Sequence, residues 1–306
     1  MNNSIISSDS EKLIKYFTLE RLKLEKTRRD YTREILRFTE YIKKDFLLAN
    51  NEDCTSYINN LKENARKGKM SVFTVEKKYI YLFSFFNYIE GVKLIYGFIP
   101  ASFYNHFKTV EKPSAPRNIS SDKIISLSEL DELISILKAG NLRDYTALML
   151  IFTSGLTLKE ATTLKWNQFV EDINSNVALE FIIKNSEKRY VKVSHDMTEL
   201  LAEYKKSIEP VNKDSFVFKN KFGNPLSGRW LRKVLTDACK KAEFEHIYTP
   251  RDLRHSAAAM CLKNGAPAEK VKEQLGWSDA RIADRYNYSI PFLEDNAIDY
   301  LNFKLK

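Results

Sequence analysis

The stretch KTVEKPSAPRNISSDK, from Lys108 to Lys123, restricts the folds open to this chain more than any other. It carries two prolines, several serines and no apolar periodicity. Each X-Pro step also steers the preceding residue away from helical backbone. No single helix or strand can run through such a segment. The chain therefore reads as a helical domain over residues 1–107, a linker over 108–124 and a second domain over 125–306. At 306 residues in all, each part is long enough to bury a core of its own.

Before the break the pattern is helical from about residue 10. Tyr31, Ile35, Phe38 and Ile42 recur at helical spacing, as do Val75, Tyr79, Leu82, Phe86 and Ile89. Between these apolar positions lie Lys26, Arg28, Arg29, Arg33, Arg37, Lys43 and Lys44, with fewer acids. Two readings of this run stand side by side: a solvated helix face, or a face that tracks phosphates through Arg28, Arg29, Arg33 and Arg37.

After the break, Ser126 and Glu129 form a capping-box pattern that opens a new helix. Helices continue to about Trp166. VALEFIIK, a short polar turn NSE and KRYVKV then predict a β-hairpin, and helices resume from about Met197. Ser227 is placed to cap a basic helix that reaches about Ala242. The tail from Phe292 to Phe303 is amphipathic. The fold class expected is mostly α with a small β-hairpin or sheet (α+β), in two domains.

The formal net charge is +9. Such a balance points to polyanionic partners, nucleic acid ahead of an anionic membrane surface. Cys54, Cys239 and Cys261 are odd in number, far apart and without a CxxC pair, which argues against a disulfide framework or a zinc site. No apolar run approaches the ~20 residues of a membrane span, and MNNSIISSDSEK lacks the layout of a signal peptide. The expectation is a cytoplasmic protein without membrane attachment, at the nucleoid when bound to DNA.

One constellation carries chemistry. In TPRDLRHSAAAMCLKNGAPAEKVKEQLGWSDARIADRYNY, Arg254 and His255 are followed by Leu275, Gly276 and Trp277, and Tyr286 stands nine residues beyond Trp277. This pattern resembles the C-terminal signature of the tyrosine recombinases, the phage-integrase and Xer-like family. SGLTLKEATTLKW resembles that family's first catalytic segment, the basic helical first domain its core-binding domain, and Lys184 in IIKNSEKR its β-hairpin lysine. The resemblance implies a phenolate of Tyr286 that attacks a DNA phosphodiester and forms a 3′-phosphotyrosyl link, with no metal and no cofactor. Guanidinium, imidazole and indole donors (Arg254, His255, Trp277) would meet the charge on the phosphate, and Lys184 would protonate the departing 5′ oxygen.

Two positions depart from the pattern. Gly155 and Leu156 are followed by Thr157 where the family has its first arginine, and Arg251 stands where it has the first histidine. Threonine has neither charge nor a planar fork, so it cannot make a bidentate phosphate contact. Thr157 and Glu160 also form a capping-box pattern, which gives the threonine a structural role of its own. Arg251 restores positive charge beside the same phosphate, or it does not; as a guanidinium it cannot shuttle a proton.

These residues lead to a sequence-specific double-stranded DNA-binding protein of recombinase fold that cleaves poorly or not at all, such as a repressor and transcription regulator of a prophage or mobile element. The alternative is an active recombinase or integrase, with Arg251 compensating. Within either reading, the helix from Ser227 offers Arg229, Arg232, Lys233 and Lys240 to the major groove. The tail Phe292 to Phe303 docks on a neighbouring protomer, as family tails often do, giving a homo-oligomer, or packs on its own domain.

Overall fold

A computed structural model of the chain describes residues 5–116, 119, 121–183 and 186–286. It divides into two compact units, residues 1–116 and 117–306.

Among its described residues the first unit holds four α-helices: α1 (Ser8–Arg21), α2 (Glu25–Ile42), α3 (Asn51–Arg66) and α4 (Val72–Val92). Side chains fix three of the four starts. Ser7 accepts from the Ser10 backbone N–H, Asn50 and Asp53 close a reciprocal capping box, and Ser71 accepts from the Thr74 N–H. The apolar spacing picked out in the sequence marks the buried faces: Tyr31, Ile35 and Phe38 on α2, and Val75, Tyr79, Leu82, Phe86 and Ile89 on α4. The core is rich in rings that meet edge to face. Phe38 contacts Tyr57 and Phe86 with centroids 5.2 and 5.7 Å apart. Phe107 and Val110 join the same core, and the Tyr79 hydroxyl donates to the Phe107 carbonyl at 2.8 Å. This bond ties the chain down just as it leaves the helices.

The second unit opens with α5 (Leu127–Lys138), whose Ser126–Glu129 capping box is formed as the sequence predicts. α6 (Leu142–Ser154) is buried almost all round, with Ala147, Leu148, Leu150 and Ile151 fully enclosed. Such a helix can only be central. It ends at Gly155, whose backbone is left-handed (φ 63°), and α7 (Leu158–Thr163) starts three residues later.

The predicted hairpin is β2 (Val177–Ile182) with β3 (Lys188–Lys192), paired antiparallel with Leu179 opposite Val191. A third strand absent from the sequence reading, β1 (Phe169–Glu171), pairs with β2. Its three residues are too few to show an alternation. Four helices follow: α8 (His195–Ser207), α9 (Gly228–Lys241), α10 (Pro250–Lys263) and α11 (Ala268–Leu275). A 3₁₀ segment, Ala280–Tyr286, closes the described chain. The amphipathic tail Phe292 to Phe303 lies outside the described residues. None of the described helices is long and apolar enough to cross a membrane.

Candidate functional site

The start of α10 sets the site. Thr249 and Asp252 form a capping box and Pro250 sits in the first turn, so the helix begins where the sequence TPRDLRH needs it to. Arg251, Arg254 and His255 then fall at i, i+3 and i+4, on one face. That face lines a cavity of about 590 Å3, together with Leu156 and Thr157 from the α6–α7 turn, Trp277, and Arg285 and Tyr286 from the last segment.

Arg254 is held from both sides. Its Nη1 donates to the Gly155 carbonyl and its Nη2 to the Leu275 carbonyl at 2.6 Å, with Glu160 Oε2 4.0 Å away. The Glu160 carboxylate in turn accepts from the Thr157 backbone N–H at 2.7 Å and from Arg189 Nη1 at 2.5 Å. Arg189 also donates to the Gln274 carbonyl at 2.9 Å. One half-buried carboxylate thus joins α7, β3 and α10, while Arg189 extends the link to α11. Burial works against ionisation of Glu160, but the Thr157 N–H and the Arg189 guanidinium outweigh it and hold the carboxyl below its ordinary range.

The Leu-Gly-Trp step has a steric reason. Gly276 is left-handed (φ 67°) at the end of α11 and rests directly on the Arg189 guanidinium. Next along, Trp277 is half-buried and stacks on Tyr286, with centroids 5.6 Å apart and planes 19° from parallel.

Read on its own, Tyr286 is a helix-surface aromatic; in the structure it is 1% exposed, packed with Ala258, Val271 and Leu275. The Ile119 N–H donates to the Arg285 carbonyl at 2.9 Å and pins this segment in place. The Tyr286 oxygen lies 2.8 Å from His255 Nδ1. Burial pushes the phenol up to about 12, against the pull of Arg254, Arg285 and Arg251. Burial first, and Arg251 second, bring His255 down to about 4. At neutral pH both groups are therefore uncharged. Arg251 is exposed and its Nε donates to His255 Nε2 at 3.2 Å.

Thr157 is committed as a helix cap: its oxygen accepts from the Glu160 N–H at 3.2 Å. The cavity gains another cation from α9. Gly228 lets α9 approach Leu158, since an added Cβ would stand 3.0 Å from that side chain. One turn on, Arg232 reaches the cavity wall, as does Lys159 of α7. Arg229, Lys233 and Lys240 are exposed but do not line it, and Lys233 pairs with Asp237 at 2.6 Å. Lys184 and Tyr288 lie outside the described residues.

In the first unit, Arg29, Arg33 and Arg37 recur every fourth residue along the exposed side of α2, where Arg33 meets Asp30 at 2.5 Å. Arg28 is different. Its Nε donates to the Leu22 carbonyl at 2.8 Å, so its head helps close the α1–α2 connection. The sequence reading also missed Glu160 as a bridge and Arg189 as its partner. An acid in a capping pattern and a strand arginine gave no sign that they would meet.

The architecture is that of the two-domain tyrosine recombinases. The XerH site-specific recombinase bound to its palindromic difH substrate superposes with a TM-score of 0.71 at 19% identity, over 94% of this chain and 84% of that one. A lambda integrase dimer bound to a COC′ core site gives 0.71 at 15% identity, over 93% and 96%. Residues 123–290 match the phage integrase family, and the chain belongs to it. Among curated relatives, the tyrosine recombinase XerD of Staphylococcus saprophyticus is 29% identical over 177 residues, 54% of this chain and 59% of that protein. XerD of Listeria innocua is 27% identical over 188 residues, 58% and 61%. The chain thus spans about three-fifths of the length of these relatives.

Proposed function

We propose that this chain binds specific double-stranded DNA sites, seats one backbone phosphate in the cavity between Arg254 and Tyr286, and cleaves there poorly or not at all. Its role would be that of a repressor or regulator of a prophage or mobile element. A tail docked on a second copy belongs to the same reading.

The observation that carries it is the commitment of Thr157. Where the family's pattern has an arginine, this side chain caps α7 and has no charge to offer. Losing one preorganised donor to a developing oxyanion typically costs about 10² to 10³ in rate. DNA affinity is affected much less, because it is spread over many phosphate contacts. The cations around the cavity and the arginine row on α2 support the binding half of the reading. So do the DNA complexes of XerH and lambda integrase.

A second reading has one observation in its favour. Tyr286, His255, Arg254 and Trp277 stand together around one cavity, as an active recombinase would need, with Arg251 added.

The binding half is tested by competition. A duplex selected from random sequence should be displaced by itself far better than by a scrambled duplex, with affinity falling steeply as salt rises. Equal displacement by both duplexes, or displacement by phosphatidylserine vesicles instead, would overturn it.

A further inference from the structure

His255 touches Arg251 on one ring nitrogen and Tyr286 on the other, and the chemistry of Arg251 decides what passes between them. Guanidinium has N–H groups and no acceptor. Its Nε lies 3.2 Å from His255 Nε2, so that ring nitrogen must present its lone pair. Half-buried beside a cation, His255 is pushed down to about 4, which leaves its imidazole neutral at pH 7. A neutral imidazole with a bare Nε2 carries its proton on Nδ1. Nδ1 is the atom 2.8 Å from the Tyr286 oxygen. The imidazole therefore donates to the phenol and cannot receive from it.

We propose that Arg251 is a positioning residue that locks His255 in the Nδ1–H tautomer, so that Tyr286 keeps its proton and presents it to a DNA phosphate as a hydrogen-bond donor. In cleavage the phenol O–H would have to break as the O–P bond forms, and the proton would need a base. Among the described residues lining the cavity, the charged ones are all cations: Lys159, Arg232, Arg251, Arg254 and Arg285. The one basic lone pair, on His255 Nε2, faces Arg251 instead of the phenol. The substitution of arginine at 251 thus acts at a distance on Tyr286, through the ring between them. This inference rests on the proposed DNA reading only for the identity of the phosphate.

The test uses the full chain without DNA. The chain has four histidines. Long-range 1H–15N correlation on 15N-labelled protein reports the tautomer of each, and His255→Gln assigns the signal. The expected result is an Nδ1–H ring at His255, turning to the Nε2–H form in Arg251→Ala and in Arg251→Met. In Tyr286→Phe it stays Nδ1–H, because Arg251 still holds it. An Nε2–H ring in the unmodified protein overturns the proposal. So does an Nδ1–H ring that persists in both Arg251 variants, or one that flips only in Tyr286→Phe. Because no DNA is present, failure here leaves the binding reading standing, and failure of DNA binding leaves the tautomer standing.

Discussion

Gly276 lies against the Arg189 guanidinium so closely that a Cβ added to it would stand 2.6 Å from Arg189 Cζ. The same glycine has φ +67°, a conformation that L side chains rarely adopt. Gly276→Ala therefore meets two obstacles, backbone strain and a rigid planar neighbour already bonded to Glu160 and Gln274. The variant should lose about 1–3 kcal/mol of stability, as overpacking does. A lower urea midpoint with unchanged slope would show it.

Glu160 makes stability depend on pH. Its carboxyl is lowered in the folded state, against burial, by Thr157 and Arg189. A lowered folded value means that the contribution is complete above the unfolded glutamate value, near 4.3, and is lost as pH falls through the folded one. Unfolding free energies followed from pH 6 to 3 should drop more steeply for the native chain than for Glu160→Gln. Parallel curves would remove Glu160 from this role.

The first unit has a buried pair of its own. Glu34 accepts from the Tyr57 hydroxyl at 2.7 Å and from Lys78 Nζ at 2.5 Å, with the Glu34 side chain 4% exposed. Lys78→Met leaves that carboxylate uncompensated and should cost about 3–5 kcal/mol. Adding Glu34→Leu to the same variant should recover much of the loss. Chemical denaturation of the two variants checks both signs.

Periodicity carried the helical faces: Ile35, Phe38, Leu82 and Phe86 are buried as their spacing requires. Local capping grammar carried Ser126–Glu129 and Thr157–Glu160, because those bonds span three residues. What pattern could not reach is contact between distant segments. Ile282 and Ala283 precede Tyr286 at helical spacing, but so short a stretch does not distinguish a buried ring from a surface one; its burial comes from α10, α11 and Trp277. Likewise, nothing local pairs Glu160 with Arg189, twenty-nine residues on. The family signature picked out Arg254, His255, Trp277 and Tyr286, which line one cavity, and left open what Arg251 does among them.

The arginine row on α2 makes a quantitative claim on binding. Replacing Arg29, Arg33 or Arg37 by alanine, one at a time, should weaken all duplexes alike and reduce the salt slope by about 1 each. Arg28→Ala should instead lower thermal stability, since its head holds the Leu22 carbonyl. A titration series between low and moderate salt distinguishes the two behaviours.

The most direct test is whether Tyr286 attacks DNA. A duplex carrying the selected site and nicked near its centre traps any phosphotyrosyl link, because the short fragment released by cleavage diffuses away. The expected outcome on a denaturing gel is no adduct, while the same duplex is bound tightly by the native chain and by Tyr286→Phe. An adduct that forms with the native chain and disappears in Tyr286→Phe would contradict the proposed function and make Tyr286 a working nucleophile.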